Sequence, residues 1–122
     1  MSYFETFGEE VVPDPTPLKR PINWQRLNTT DAENVIRERS QDSGKVFFSD
    51  HAWERIEERT ITRAEALEIL RRGYVDGEPI QTSTGEWQVI MTRQMNRSRS
   101  AGAVTIILSD DSLFVKTVMW MD

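Results

Sequence analysis

The sequence FSDHAWERIEERTITRAEALEILRRG, residues 48–73, contains the start signals of two consecutive helices and the stop signal of the second. Ser49 can cap a helix that begins with Asp50, and the dipole of that helix favours a carboxylate in its first turn. Residues 62–65, TRAE, have the capping-box pattern, in which Thr and Glu side chains each accept a backbone N–H. Apolar residues at helical spacing follow, and Gly73 ends them. The stretch predicts two short helices in succession.

A further helix and a short strand are predicted before this stretch. Residues 30–33, TDAE, form another capping-box pattern, so a first helix is expected from Thr30 to about Ser40. Residues 46–48, VFF, are expected to form a short buried strand or an entry into the core.

After Gly73 the hydrophobic period changes from that of a helix to that of strands. Residues 74–82 are expected at a sheet edge, because Gly77 and Pro79 interrupt the strand. Alternation over residues 86–95, an apolar run at 104–108 and residues 113–120 predict three more strands. We therefore predict an α+β fold, with two to three helices followed by a four-stranded antiparallel sheet.

Residues 1–27 are predicted to form a proline-rich, acidic-aromatic arm that precedes a single α+β domain of residues 28–122. Four of the five prolines, at positions 13, 15, 17 and 21, resist helix formation in this arm. Its apolar side chains are too numerous for a purely solvating tail: Tyr3, Phe4, Phe7, Val11 and Val12. We interpret the arm as a strap that docks either on the domain or on a partner.

Composition argues against several classes of function. The 122 residues include no cysteine and one histidine, so we expect no disulfide, no metal site and no other cofactor. No apolar run or leader pattern predicts association with a membrane, and the expectation is a cytoplasmic protein of bacterial type. The net charge of −5 argues against a generic nucleic-acid binder. Residues 87–109 are an exception, since they contain three arginines and no acid.

The single histidine, His51, lies four and eight residues before Arg55 and Arg59. Residues at this spacing share one face of a helix. An imidazole exchanges protons near neutral pH, and guanidinium groups bind phosphate. This combination suits cleavage of a phosphodiester bond without a metal.

Residues 48–52, FSDHA, with Arg55 and residues 58–61, ERTI, resemble the opening of the bacterial domain-of-unknown-function 4258 family. The helix end LRRG at 70–73 and the strand VKTV at 115–118 also match, so the similarity covers residues 46–121. That family is similar to the barnase and RelE-like ribonuclease toxins, whose helices pack on one face of an antiparallel sheet. The resemblance implies this fold, with RNA as a ligand and a cognate antitoxin as a candidate partner.

The resemblance implies a metal-independent endoribonuclease with four catalytic residues: His51, Arg55, Arg59 and Thr117. Lys116 would be an extra cation, and Arg93, Arg97 and Arg99 would extend an electrostatic path for the RNA backbone. Because side chains alternate along a strand, only one of Lys116 and Thr117 is expected to share a face with the helix.

A second hypothesis remains open at this point. Glu58 lies three residues after Arg55, so that arginine could be ion-paired on a solvated helix face. The chain would then be a non-catalytic protein-interaction module on the same fold, and its acidic-aromatic arm would bind a protein partner. The sequence predicts no oligomeric state.

Overall fold

The computed structural model describes residues 22–59, 61–96 and 98–121. The elements in these residues are α1 (Thr29–Arg39), a short 3₁₀ helix (Ser43–Lys45), β1 (Val46–Phe48), α2 (Asp50–Arg59), α3 (Arg63–Arg72), β2 (Tyr74–Gln81), β3 (Trp87–Gln94), β4 (Ser100–Ile107) and β5 (Leu113–Trp120). The predicted α+β class is confirmed, and the chain has three α-helices in its described part.

The sheet differs from the prediction in strand number and direction. It has five strands in the order β1-β5-β4-β3-β2, and β1 runs parallel to β5 while the other pairs are antiparallel. The prediction of four antiparallel strands was therefore wrong for β1. A parallel pair needs a long crossover connection, and here α2, α3 and β2–β4 provide it, so the pairing is invisible to local sequence patterns.

The helix starts follow local capping chemistry, with one change from the prediction. Ser49 Oγ accepts the Ala52 N–H at 2.9 Å, and Thr62 forms the predicted capping box of α3 with Glu65. In α1 the cap is Asn28 rather than Thr30, because the Asn28 side chain accepts the backbone N–H of Asp31 at 2.7 Å. An asparagine is at least as good a cap as a threonine, so the helix starts earlier than predicted.

One face of the sheet packs on the helices and forms the core. The buried side chains of α1, α2 and α3 belong to the same apolar cluster as those of the strands. On β3, β4 and β5 the buried positions on this face are Val89, Met91, Ala101, Ala103, Thr105, Ile107, Leu113, Val115 and Val118.

The opposite side of the sheet, which we call the open face, carries none of the described helices, and the Met121 side chain lies over it at Gly102. Its side chains alternate with the buried ones, and none of them is buried. They include Phe47, Ile80, Gln88, Ile90, Val104, Ile106, Phe114 and Thr117.

The described part of the predicted arm, residues 22–27, lies against the domain. Leu27 is buried, Ile22 packs on the core cluster, and the Trp24 carbonyl accepts the indole N–H of Trp87 at 2.7 Å. The proline-rich part, residues 1–21, lies outside the described residues.

Candidate functional site

Strand β1 pairs with the first half of β5 at one edge of the sheet. Helix α2 follows β1 in sequence and lies beside the second half of β5 at the same edge. The Ser49 N–H donates to the Val115 carbonyl at 3.0 Å, and the Ser49 hydroxyl donates to the Lys116 carbonyl at 2.6 Å. At the far end of the helix, the Trp120 indole donates to the Arg59 carbonyl at 2.7 Å. The first turn of α2 is therefore next to Lys116, and its last turn is next to Trp120.

The two flanks of α2 face different surroundings. Ala52 and Ile56 are buried, and Trp53 on one flank packs against Phe48 with 5.2 Å between ring centroids. Phe48 is paired with the buried Val115, so this flank lies on the helix side of the sheet. At 100° per residue, His51 lies on the opposite flank.

His51 and Arg55 are thus placed one turn apart on the flank of α2 that faces away from Trp53. The side chain of His51 is exposed, whereas that of Arg55 is about two-thirds buried, with 31% of its surface accessible. Arg55 Nη1 forms an ion pair with Glu58 Oε1 on the same flank. A phosphate bound at Arg55 would therefore have to compete with the Glu58 carboxylate.

A β-bulge changes the expected arrangement of Lys116 and Thr117. Val115 pairs with Thr105, but Thr117 pairs with Val104, so Lys116 is the extra residue of β5. Thr117 lies on the open face, and Lys116 Nζ reaches across that face to Gln88 Oε1 at 3.1 Å. The expectation that the two residues would occupy opposite faces was wrong, because the bulge interrupts the alternation.

Two of the three arginines expected to extend an RNA path, Arg93 and Arg99, lie away from the start of α2. Arg93 Nη1 is 3.4 Å from Glu68 Oε1, and the Arg99 guanidinium stacks 3.9 Å above the Trp120 ring centroid. Arg97 lies outside the described residues. Arg99 lies on Trp120, whose indole contacts the main chain of Arg59, ~12 Å along α2 from His51 at 1.5 Å per residue.

The structure therefore divides the predicted residues into two groups. His51, Arg55, Lys116 and Thr117 belong to elements that meet at the start of α2. Arg59, Arg93 and Arg99 belong to the end of α2 and the adjacent ends of β3–β5. This separation could not be predicted without the register of the strands.

A cleft of about 420 Å³ at the other end of the sheet was not predicted from the sequence. Its lining includes Trp24, Arg39, Trp87 and Leu108. Arg39 donates to the Leu108 carbonyl at 2.8 Å and to the Ser112 carbonyl at 3.1 Å, and burial lowers the pKa of its guanidinium. This arginine holds a turn in place, and only the isolated Trp24 could have indicated the cleft in the sequence.

The described ranges contain neither a metal-binding cluster nor a membrane-spanning helix. No group of three or more His, Asp or Glu side chains among these residues could hold a metal ion. No helix in the same residues is long and apolar enough to cross a membrane.

Comparison with known proteins identifies a family. A family model described as "Domain of unknown function (DUF4258)" matches residues 48–120, from the end of β1 to the end of β5. No curated protein and no solved structure matches the chain. The match covers α2 and β5, which carry the residues of the candidate site.

Proposed function

The chain belongs to the family described as a domain of unknown function, DUF4258, and from this premise we propose that it is a metal-independent endoribonuclease of the toxin kind. The proposed site lies where α2 begins beside β5, with His51 and Arg55 on the helix and Lys116 and Thr117 on the strand. One observation supports it most directly. The Ser49 bond to the Lys116 carbonyl brings together segments that are 67 positions apart in the sequence.

In this proposal, the imidazole of His51 acts as the base and then as the acid. It removes the proton of a ribose 2′-hydroxyl, and the resulting oxygen attacks the adjacent phosphorus. The bond from phosphorus to the 5′-oxygen breaks, and the imidazolium gives its proton to that oxygen. The products are a 2′,3′-cyclic phosphate and a 5′-hydroxyl.

The cations of the site would neutralise the charge that develops on the phosphate. Arg55 is the nearest guanidinium to His51 on the helix, and the ammonium of Lys116, which is bonded to Gln88 in the structure, would turn towards α2 to add a second positive charge from β5. Thr117 supplies a hydroxyl on the open face, next to Lys116. These groups come from the two elements that the Ser49 bond joins.

The second group of cations would extend the binding path. Arg99 stacks on one side of the Trp120 ring, the indole N–H of Trp120 binds the Arg59 carbonyl, and Arg93 lies near the same ends of the strands, so the ring offers its other side as a stacking surface. Arg97 belongs to the same predicted path. A strand of RNA that passes from His51 towards Trp120 would follow the axis of α2.

We also propose that the domain is related to the barnase and RelE-like ribonucleases. The support is the placement of the helices on one face of a sheet in which β2–β5 are antiparallel. The parallel strand β1 would be an addition at the edge beside β5.

The first test is RNA cleavage by the purified full chain in the presence of a chelator. We expect a labelled single-stranded RNA to be cut to products with 2′,3′-cyclic phosphate ends, and a DNA of the same sequence to remain intact. His51→Ala should slow the cleavage by about 10²–10⁴-fold, the usual contribution of a general acid–base group. Because His51 is exposed, the variant should keep the thermal stability of the parent.

A matched control is Glu57→Ala on the opposite flank of α2, which should leave the cleavage rate unchanged. Growth provides a second readout, since expression of the parent chain should slow bacterial growth and His51→Ala should relieve the effect. Equal cleavage by the parent and by His51→Ala would contradict the mechanism.

The alternative is a non-catalytic module that binds a protein partner, such as a cognate antitoxin. The Arg55–Glu58 ion pair favours it, because a paired arginine is less available to a phosphate. The net charge of −5 also favours the module, because an acidic protein repels the phosphates of RNA. A chain that neither cleaves RNA nor slows growth, in the parent and in His51→Ala alike, would favour this module.

A further inference from the structure

The open face carries a row of apolar side chains that crosses all five strands. The strand pairings place Phe47 opposite Phe114, Phe114 opposite Ile106, Ile106 opposite Gln88, and Gln88 opposite Ile80. Four of the five side chains are apolar, and we call this set the apolar row. Phe47 is 53% exposed and Ile80 is 62% exposed, so both ends of the row are open to solvent.

Exposed apolar side chains grouped across a sheet in this way indicate an interaction site. Both edge strands contribute to it, and so does the central strand β4. None of the described helices lies over it. We therefore expect a segment of this chain or a partner to cover the apolar row.

Residues 1–21 join the described domain at the same end of the sheet as the apolar row. Residue 22 follows them directly, and the Trp24 carbonyl is bonded to the Trp87 indole. Trp87 is next to Gln88 in sequence but lies on the helix side of the sheet, where with Trp24 and Ile107 it lines the cleft, so residues 1–21 would have to pass round this end of the sheet to reach the open face. Ile107, in turn, is the neighbour of Ile106 of the apolar row.

The length of residues 1–21 is sufficient for them to reach and cross the row. Residues 13–21, which contain four prolines, would span ~28 Å if they were fully extended as polyproline at about 3.1 Å per residue. Residues 3–12 span up to ~33 Å when extended. The five strands measure only ~19 Å across at about 4.8 Å per strand spacing.

The composition of residues 3–12 fits the row in both apolarity and charge. Their apolar side chains are Tyr3, Phe4, Phe7, Val11 and Val12, and their charged ones are Glu5, Glu9 and Glu10. Lys116 extends over the row to Gln88, so it presents a cation there. Asp76 of β2 pairs with Ile90 on the open face. Because Asp76 is itself acidic, the β2 side is less suited to a second carboxylate.

We propose that residues 3–12 of the same chain lie across the apolar row, with their carboxylates near the Lys116 ammonium beside Gln88. The segment would shield Phe47, Phe114, Ile106 and Ile80 from water. Docking of this segment does not require ribonuclease activity. It can be measured without RNA, so this proposal and the proposed function can fail separately.

The absence of cysteine allows a direct test by paramagnetic NMR on the full chain. A nitroxide on Ser2→Cys should broaden the methyl signals of Ile80 and Ile106 strongly. The methyl signals of Leu67 and Leu70, which are buried under the opposite face, should change little. Uniform weak broadening of all methyl groups, or none, would overturn the proposal.

Two variants and one matched control test the chemistry of the contact. Phe4→Ser combined with Phe7→Ser should remove most of the selective broadening, whereas Thr6→Ser should preserve it. Lys116→Gln should reduce the broadening at low salt and make it insensitive to added salt. Selective broadening that survives the double Phe variant would contradict an apolar contact.

A mixed sample distinguishes the same chain from a second copy. Nitroxide-labelled chain without isotopes is mixed with isotope-labelled chain that carries no nitroxide. The proposal expects no selective broadening in this mixture. If Ile80 and Ile106 are broadened there, the occupant comes from another copy and the proposal is wrong.

Discussion

At the scale of single residues, Gly73 shows how tightly the helices and the sheet are joined. A Cβ atom at this position would clash with the Ile69 carbonyl oxygen and lie 2.5 Å from the Thr92 carbonyl oxygen. The Gly73 carbonyl accepts two hydrogen bonds from Arg37, at 3.0 and 2.6 Å. Glycine is therefore required at this position, because α1, α3 and β3 meet around it and leave no room for a Cβ atom.

Gly73→Ala should lower the free energy of unfolding by about 1–3 kcal/mol, the usual cost of added volume in a packed site. Urea denaturation of the two proteins measures this difference. Gly44→Ala is the matched control, because a Cβ there would meet only the flexible Asp42 side chain at 3.1 Å. A stability of Gly73→Ala equal to that of the parent would show that the backbone can move apart at this point.

At the scale of the elements, α1 shows how two capping signals compete. Thr30 and Asn28 can each cap a helix, and the helix begins at the earlier one. Asn28 makes two contacts with Asp31: its Oδ1 accepts the backbone N–H at 2.7 Å, and its Nδ2 donates to the carboxylate at 3.3 Å. Asp31 is only 2% exposed, so the cap also satisfies a buried charge.

Asn28→Ala should therefore destabilise the protein by about 1 kcal/mol, as expected for loss of a helix cap. Thr30→Ala, in the exposed first turn, should change stability by less than about 0.5 kcal/mol. Thermal or urea unfolding of both variants compares the two positions directly. A larger loss for Thr30→Ala would mean that α1 begins at Thr30 in solution.

At the scale of the whole molecule, a charge cluster ties together parts that are distant in the sequence. Asp111 in the turn before β5 forms ion pairs with Lys45 at 2.6 Å and with Arg39 at 3.2 Å. The cluster joins α1, the 3₁₀ helix that leads into β1, and the turn between β4 and β5. The hydrogen bond from Lys45 lowers the pKa of Asp111, and the same bond raises the pKa of Lys45.

Asp111→Asn should lower the melting temperature near neutral pH but not in acid. A lowered carboxyl pKa stabilises the fold above the ordinary aspartate value of ~3.9, and this contribution is lost as the pH falls through the folded-state pKa. The raised pKa of Lys45 contributes below ~10.4 and is lost as the pH rises through its folded-state value. The difference between variant and parent should therefore be greatest between these limits.

Asparagine is a suitable replacement because Asp111 has a φ of +74°, a conformation that asparagine tolerates. Glu57→Gln, which removes one exposed carboxylate from α2, controls for the change in net charge. A melting-temperature difference that persists unchanged at pH 2 would show that the effect of Asp111→Asn does not come from the ion pairs.

The sequence alone determined the helices α2 and α3, the strands β2–β5 and the α+β class, because caps, turns and hydrophobic period are local signals. It also identified His51 and Arg55 as one face of a helix, since four residues complete about one turn. The parallel pairing of β1 with β5 and the bulge at Lys116 were not predicted. Both depend on partners that lie far away in the sequence.

Tertiary structure alone decided which predicted side chains lie together. The Ser49–Lys116 bond joins the start of α2 to β5, while the Trp120–Arg59 bond assigns Arg59 to the other end of the helix. The apolar row likewise exists only through the register of five strands. A sequence pattern records the period of each element, but the contacts between elements are set by packing and backbone pairing in three dimensions.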